Sequence, residues 1–463
     1  CQAVVVTNKT AGGIGTATNP GKPNYTDTPE ETVKIRNEAS EYQKKQTLKE
    51  EYRADPIDLS KGAHVISHTL MTLNGAQSVS VTADYSSNSV IRGELGIGWS
   101  HNFEKSVRVF GDTVRVYDNA AYYALYTRSQ SDSNTYTTAT KSKENYVLTK
   151  TSQYYIVDCN HKATEYYDVT NGRLVKITYK NGLSTQLTYP TAATVRITDS
   201  VSGRYMTITK DSDGRIVSVS DNSGRISTLE YTDGCLTGFT DENGNKISYR
   251  YNSKSQIERG VDGNGTVFFV DAYDSLGRII SQKDAVSDSL QTVISYDENS
   301  APGYTLVRVT DRLGELSVYK YNQSGQLICR TDPNNITESY EYDSAGNVIR
   351  KTDGLGNSIL SAYDAKGNLL SSTDKTGKIT SYVYDSHNNM ICVSYPGAGS
   401  ETYSYDTSDR LVSHTDARGL TVTYEYNAAG LPVKVSSPSG NTLYEYTAGQ
   451  VSAVTDRLGR RSV

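Results

Sequence analysis

The chain has 463 residues, 47 basic and 52 acidic side chains, a net charge of −5, and 37 Tyr and 37 Gly beside only 5 Phe. At 36% hydrophobic it falls below the roughly 45–50% of ordinary globular domains, which argues against one thick aliphatic core, while 9% aromatic residues exclude a disordered chain. The near balance of charge speaks against a nucleic-acid partner, and no run approaches the ~18 apolar residues of a membrane-spanning helix.

Residues 1–28 are rich in Gly, Thr, Asn and Pro and read as a flexible linker or tether. Thr28-Pro29-Glu30-Glu31 marks a helix start, with Thr28 as cap, Pro29 in the first turn and Glu31 completing a capping box. The predicted helix covers 29–54, and its thin apolar stripe (Ile35, Ala39, Tyr42, Tyr52) suits a solvated helix resting on its neighbour. Residues 55–160 read as a smaller β domain. SVSVTADYSS alternates with period two, and KSVRVFGDTVRVYD predicts a hairpin about Gly111-Asp112. His64 and His68 sit in VISHTLMTL, which reads as strand; there i and i+4 lie about 13 Å apart, so the spacing does not make a metal pair. Gly96-Ile97-Gly98-Trp99 lacks the third glycine and the helix of a nucleotide loop, and Trp99, the only Trp, is expected as a core anchor.

From 161 to 463 the sequence repeats. A motif Tyr-Asp/Asn-x-x-Gly-x-(Leu/Ile/Val) recurs, with anchor tyrosines at 321, 342, 363, 384, 405 and 426, a step of 21. Between these copies lies Thr/Ser-Asp-x-x-Gly, so turn aspartates alternate by 10 and 11 residues, one strand and one tight turn per half-period. The anchors that should carry the architecture are Tyr342, Asp343, Gly346, Asp353, Gly356, Tyr363, Asp364, Gly367, Tyr384, Asp385, Tyr405, Asp406 and Tyr426. Asp at the first turn position can accept backbone N–H groups, and Gly at the fourth takes the left-handed conformation at no steric cost. Tyr-x-Tyr pairs such as 382/384 and 424/426 put two rings on one face and predict aromatic ladders. The aspartates are thereby assigned to turns; no calcium loop, G-x-S-x-G or CxxC occurs, and no catalytic, metal or cofactor site is expected. The five cysteines (Cys1, Cys159, Cys235, Cys329, Cys392) are too scattered for a disulfide framework.

This phased array resembles the Rhs/YD-repeat family, which includes bacterial Rhs polymorphic toxins, the C components of insecticidal toxin complexes and teneurin ectodomains; the resemblance covers about residues 160–463. Upstream, Asp55-Pro56-Ile57-Asp58, Gly62, Tyr85-Ser86-Ser87 and Gly96-Ile97-Gly98-Trp99 resemble the domain that commonly precedes Rhs repeats, with Ala83 where family members often carry Arg. The resemblance implies an all-β fold, a YD-repeat spiral antiparallel β-sheet forming part of a hollow shell, behind a smaller β domain and an N-terminal helix. It implies a non-enzymatic scaffold of a secreted or cell-surface bacterial protein that encloses and delivers a C-terminal toxin cargo in interbacterial competition. The chain stops in mid-repeat at Arg460-Arg461-Ser462-Val463 without a closing Asp-Pro motif or a toxin domain, as expected of a partial shell. A second implied reading is an adhesion module whose tyrosine rows bind cell-surface glycans. Cys1, ahead of its tether, is either the lipid-bearing cysteine of a lipoprotein, the one expected route to a membrane, or a truncation point.

Overall fold

The structure, a computed structural model, describes residues 57–119, 122–138, 146–159, 163–283, 290–300 and 302–463. The expected tether, the helix over 29–54 and Cys1 lie outside the described residues.

Among the described residues every regular element is a strand. The first six are β1 (Ile57–Asp58), β2 (Ala63–Leu73), β3 (Val79–Ser86), β4 (Arg92–Gly93), β5 (Gly96–Ile97) and β6 (Trp99–His101). β1-β2-β3-β6 form a small antiparallel sheet, and β4 and β5 pair as a short hairpin beside it. The alternation of SVSVTADYSS becomes a strand, β3, whose buried and half-buried residues alternate along its whole length. His64 and His68 both fall within the strand β2.

A second, long sheet begins with β7 (Ser106–Phe110) and β8 (Thr113–Tyr117), the hairpin expected about Gly111-Asp112. The sheet is thus under way within residues 55–160, ahead of the repeats. From β7 to Arg461–Ser462 each strand pairs antiparallel with the next in sequence. Such a meander follows from the sequence spacing, because 10 or 11 residues suffice for one short strand and one tight turn.

The strip coils. Val107 donates its N–H to Gly172 O at 2.8 Å, and Ser106 forms a bridge with Arg173, so β7 lies against the turn after Ala163–Asp168. Further on, the tyrosine-side turns of the later repeats rest on hairpin tips near 180–203. Lys180 Nζ reaches Asn388 O at 3.3 Å, Leu183 lies under Gly430, and Ser202 lies under Gly449. One coil of sheet is therefore stacked edge-on against the one before it.

The small sheet sits inside the first coil. A single apolar cluster joins Leu70, Leu73, Val81, Tyr85 and Trp99 of the small sheet to Val107, Tyr136, Leu187, Ile208, Tyr249 and Phe269 around the long one. A second joins Ile57 and Leu59 to Ile279, Ile294, Val307, Tyr319 and Leu327. Since one small sheet touches strands from β7 to beyond Phe269, the long sheet curves around it, with the Tyr249 face inward. Beyond Leu327 the buried apolar side chains among the described residues are Val393, Leu431 and Ala453.

Candidate functional site: the tyrosine face

Each predicted turn anchor sits at a hairpin tip. Asp343 Oδ1 accepts the Asn347 N–H at 2.9 Å, its own N–H bonds Asn347 O at 3.0 Å, and Gly346 adopts φ 90°. Asp353 accepts from Leu355 and Asn357, Asp364 from Lys366 and Asn368, Asp385 from His387 and Asn389, and Asp406 from Ser408 and Arg410. Gly356 and Gly367 both stand at φ 82°. Hydrogen bonds from the Asn357 side chain and from turn N–H groups hold the Asp353 carboxyl below the usual range. At Asp343 burial opposes ionisation, but the Asn347 side chain and amide outweigh it. Several tips keep the left-handed fourth position without glycine: Ser255, Asn335, Asn388 and Asp409 have φ of 59° to 61°. The glycine pattern missed these tips, although Asn and Asp tolerate that region better than other side chains.

The anchor tyrosines end their strands, and each marks a β-bulge. Tyr342 pairs with Val348 while Glu341 pairs with Arg350, which leaves Ile349 unmatched. The same slip recurs at Tyr251, Tyr273, Tyr321, Tyr363, Tyr384, Tyr405 and Tyr426. Asp343 and Asn347 exchange the hydrogen bond that closes the hairpin. The next pair, Tyr342 and Val348, is therefore of the non-bonded kind, and Val348 aims its N–H and C=O at the strand on its other side. There the ladder begins only at Arg350–Leu360, so Val348 itself lies outside the paired register.

At several repeats the tyrosine of the following repeat supplies the missing donor. Tyr342 Oη donates to Leu327 O at 2.6 Å, Tyr405 Oη to Met390 O at 3.0 Å, and Tyr426 Oη to Leu411 O at 2.7 Å. In the first coil Tyr231 does the same for Ile216, Tyr251 for Leu236, Tyr273 for Ile257 and Tyr296 for Ile279. Phe fills the same volume but carries no donor, which is a reason for Tyr over Phe at these positions. The expected aromatic ladder does not form in this way. The strand Leu369–Thr373 lies between those of Tyr363 and Tyr384, and two strand spacings of ~4.8 Å exceed ring contact.

In the first coil the small sheet covers this face. Trp99 is 2% exposed, packs on Tyr85 and Tyr249, and donates from Nε1 to Tyr251 Oη at 3.0 Å. The freed N–H groups of the bulges are taken as well. Ile216 donates to Glu94 O at 2.8 Å, Ile279 to Gly62 O at 2.8 Å, and Ile257 to Tyr85 Oη at 2.8 Å. His64 bonds Asp271, and His68 bonds Tyr249; both contacts span the two sheets and neither has a local sequence signal. Among the described residues Cys159, Cys235, Cys329 and Cys392 form no disulfide.

From about residue 328 no such cover lies over the same face among the described residues. Its tyrosines are half-buried rather than buried. Tyr403 stacks on His414 with centroids 4.7 Å apart, and both bond Glu401. This surface can offer ring faces, hydroxyls and backbone donors; among the described residues no group of His, Cys, Asp and Glu is arranged to hold a metal.

Family models match most of the chain. The teneurin YD-shell matches residues 140–272 and 270–398, the RHS repeat matches 405–442, and a domain of unknown function (DUF6531) matches 54–125. Over 93 residues the chain is 32% identical to the tRNA nuclease WapA of Bacillus subtilis (strain 168), covering 20% of this chain and 4% of that protein. Crystal structures of TcdB2-TccC3 and TcdB2-TccC3-Cdc42 match with TM-scores of 0.44 and 0.41 at 14% and 13% identity. These matches cover 82% and 84% of this chain but 22% and 26% of those chains.

Proposed function

Because the chain belongs to the RHS-repeat and teneurin YD-shell family, we propose that it is the wall of a container that encloses a toxin polypeptide and keeps it from the cell that makes it. The single observation that carries this reading is the inward tyrosine face, filled by the chain's own small sheet in the first coil and, among the described residues, open from about residue 328. A sheet that curves around one occupant and then continues with the same face uncovered is shaped to take another. The wall acts without chemistry of its own: its repeated polar groups are spent on turns and bulges. We place the protein outside its producing cell, secreted or surface-attached, with delivery to competing bacteria as its use. Lipid on Cys1 would be the attachment.

The test uses the complete natural gene product. Any segment beyond these repeats should resist protease while the sheet is folded and be digested at once when the sheet is unfolded. Digestion of that segment at the same rate in both states would sink the enclosure reading. Binding of the intact protein on a glycan array would instead favour adhesion.

A further inference from the structure

The bulges free two groups per repeat, and only one of them is satisfied by the repeat itself. At Leu327, Met390 and Leu411 the carbonyl opposite the anchor tyrosine receives the next tyrosine's hydroxyl. The N–H of that residue points the same way and lies outside the registered ladder. In the first coil it is the inserted sheet that accepts it, through Glu94 O, Gly62 O and Tyr85 Oη. The hairpins at Val348, Leu369, Met390 and Leu411 have the same register: Asp343, Asp364, Asp385 and Asp406 close them, and the next ladder starts two residues beyond each bulged position. These four N–H groups therefore form a row of donors on the uncovered face. At the following repeat the position is Pro432, which has no N–H and needs no acceptor.

We propose that this row is a binding track for an extended polypeptide, which docks through its main-chain carbonyls. The proposal rests on the enclosure reading and gives it a mode of contact. The occupant is argued from the first coil, where two of three acceptors are main-chain carbonyls of an inserted chain. Successive donors are two strands apart, roughly 9.6 Å. A polyproline-II-like chain presents every third carbonyl on one side at about 9.3 Å, so a single extended segment crossing the strands can meet the donors in step. The flanking tyrosine rings supply apolar walls, and because main-chain carbonyls are common to all sequences the track accepts cargo without reading its sequence.

The probe is a fluorescently labelled decaproline, which offers carbonyls in that geometry and has no main-chain donors beyond its terminus. It should bind this chain, and binding should slow hydrogen exchange at the Val348, Leu369, Met390 and Leu411 amides. A triple variant, Leu369→Pro, Met390→Pro and Leu411→Pro, removes three donors at positions whose equivalent already holds Pro432; its affinity should fall at least about tenfold, at roughly tenfold per 1.4 kcal/mol. If the triple variant unfolds, Leu411→Pro alone should weaken binding and leave the circular dichroism unchanged. No binding by the parent chain overturns the proposal. So does equal binding by the proline variants, which would assign the contact to the rings alone. Enclosure is read separately by protease protection, so the container can stand while the track falls, and the reverse.

Discussion

Tyr249 and Tyr319 are 3% and 2% exposed, whereas Tyr340, Tyr382 and Tyr424 occupy the same repeat column and stay half-buried. The sequence around them is nearly the same; what differs is whether the small sheet lies over them. The comparison separates two kinds of stability. Turn carboxylates, left-handed tips and tyrosine-to-carbonyl bonds recur in both halves, so the repeat closes most of its own polar accounts. The hydrophobic core belongs to the first coil alone, and is made by a partner sheet that the repeat does not encode.

The largest way to break the comparison is to remove the anchor of the small sheet. Trp99→Ala should cost about 3–5 kcal/mol in the first coil and leave hydrogen exchange from about residue 340 onward unchanged. Equal loosening of both halves would show that they do not fold as separable units. Next come the glycines. A Cβ at Gly172 would stand 2.0 Å from Val107 O at φ 70°, whereas one at Gly356 meets nothing within 4 Å at φ 82°. Gly356→Val should therefore cost only the conformational term of roughly 1–2 kcal/mol, and Gly172→Ala distinctly more, both read from chemical denaturation. Equal losses would mean that the first coil yields at β7.

Tyrosine-to-phenylalanine changes are smaller. Tyr251→Phe strands Leu236 O and the Trp99 indole N–H in a buried setting and should cost about 1–3 kcal/mol. Tyr426→Phe exposes Leu411 O to water and should cost about 0.5–1.5 kcal/mol. The smallest effect is the response to pH. Asp343, Asp353, Asp374 and Asp406 have carboxyls held below their ordinary range, so their contribution is present above about pH 4 and lost as pH falls through their folded values. In the first coil burial pushes Glu104 up to about 7, with the Glu94 charge adding to it. That cost is absent below the ordinary glutamate range and grows as pH rises toward 7. Hydrogen exchange of the first coil should therefore quicken slightly from about pH 5 to 7.5 after correction for intrinsic rates, while the later repeats stay level. Glu104→Gln should abolish the difference.

Much of this was legible because it is local. Asp343 and Gly346 are three residues apart, and a turn is decided within that span. Asn388 and Asp409 show the limit: the turn persists where its glycine does not, because a short polar side chain can hold the same backbone. The bulge left only a compositional trace, the excess of Tyr over Phe. That trace reads as a ring preference until the hydroxyl's partner is seen on the carbonyl of the preceding repeat. The pairing of His64 with Asp271 spans 207 positions and left no trace at all.

The period, the hairpin tips, the β character and the family follow from local sequence, since alternation and turn chemistry act over a few residues. Only the tertiary structure decided which tyrosines are buried, what fills the first coil, and which backbone donors remain open. Those depend on which strands come to lie over one another after a full turn of the sheet, and no short-range pattern specifies that.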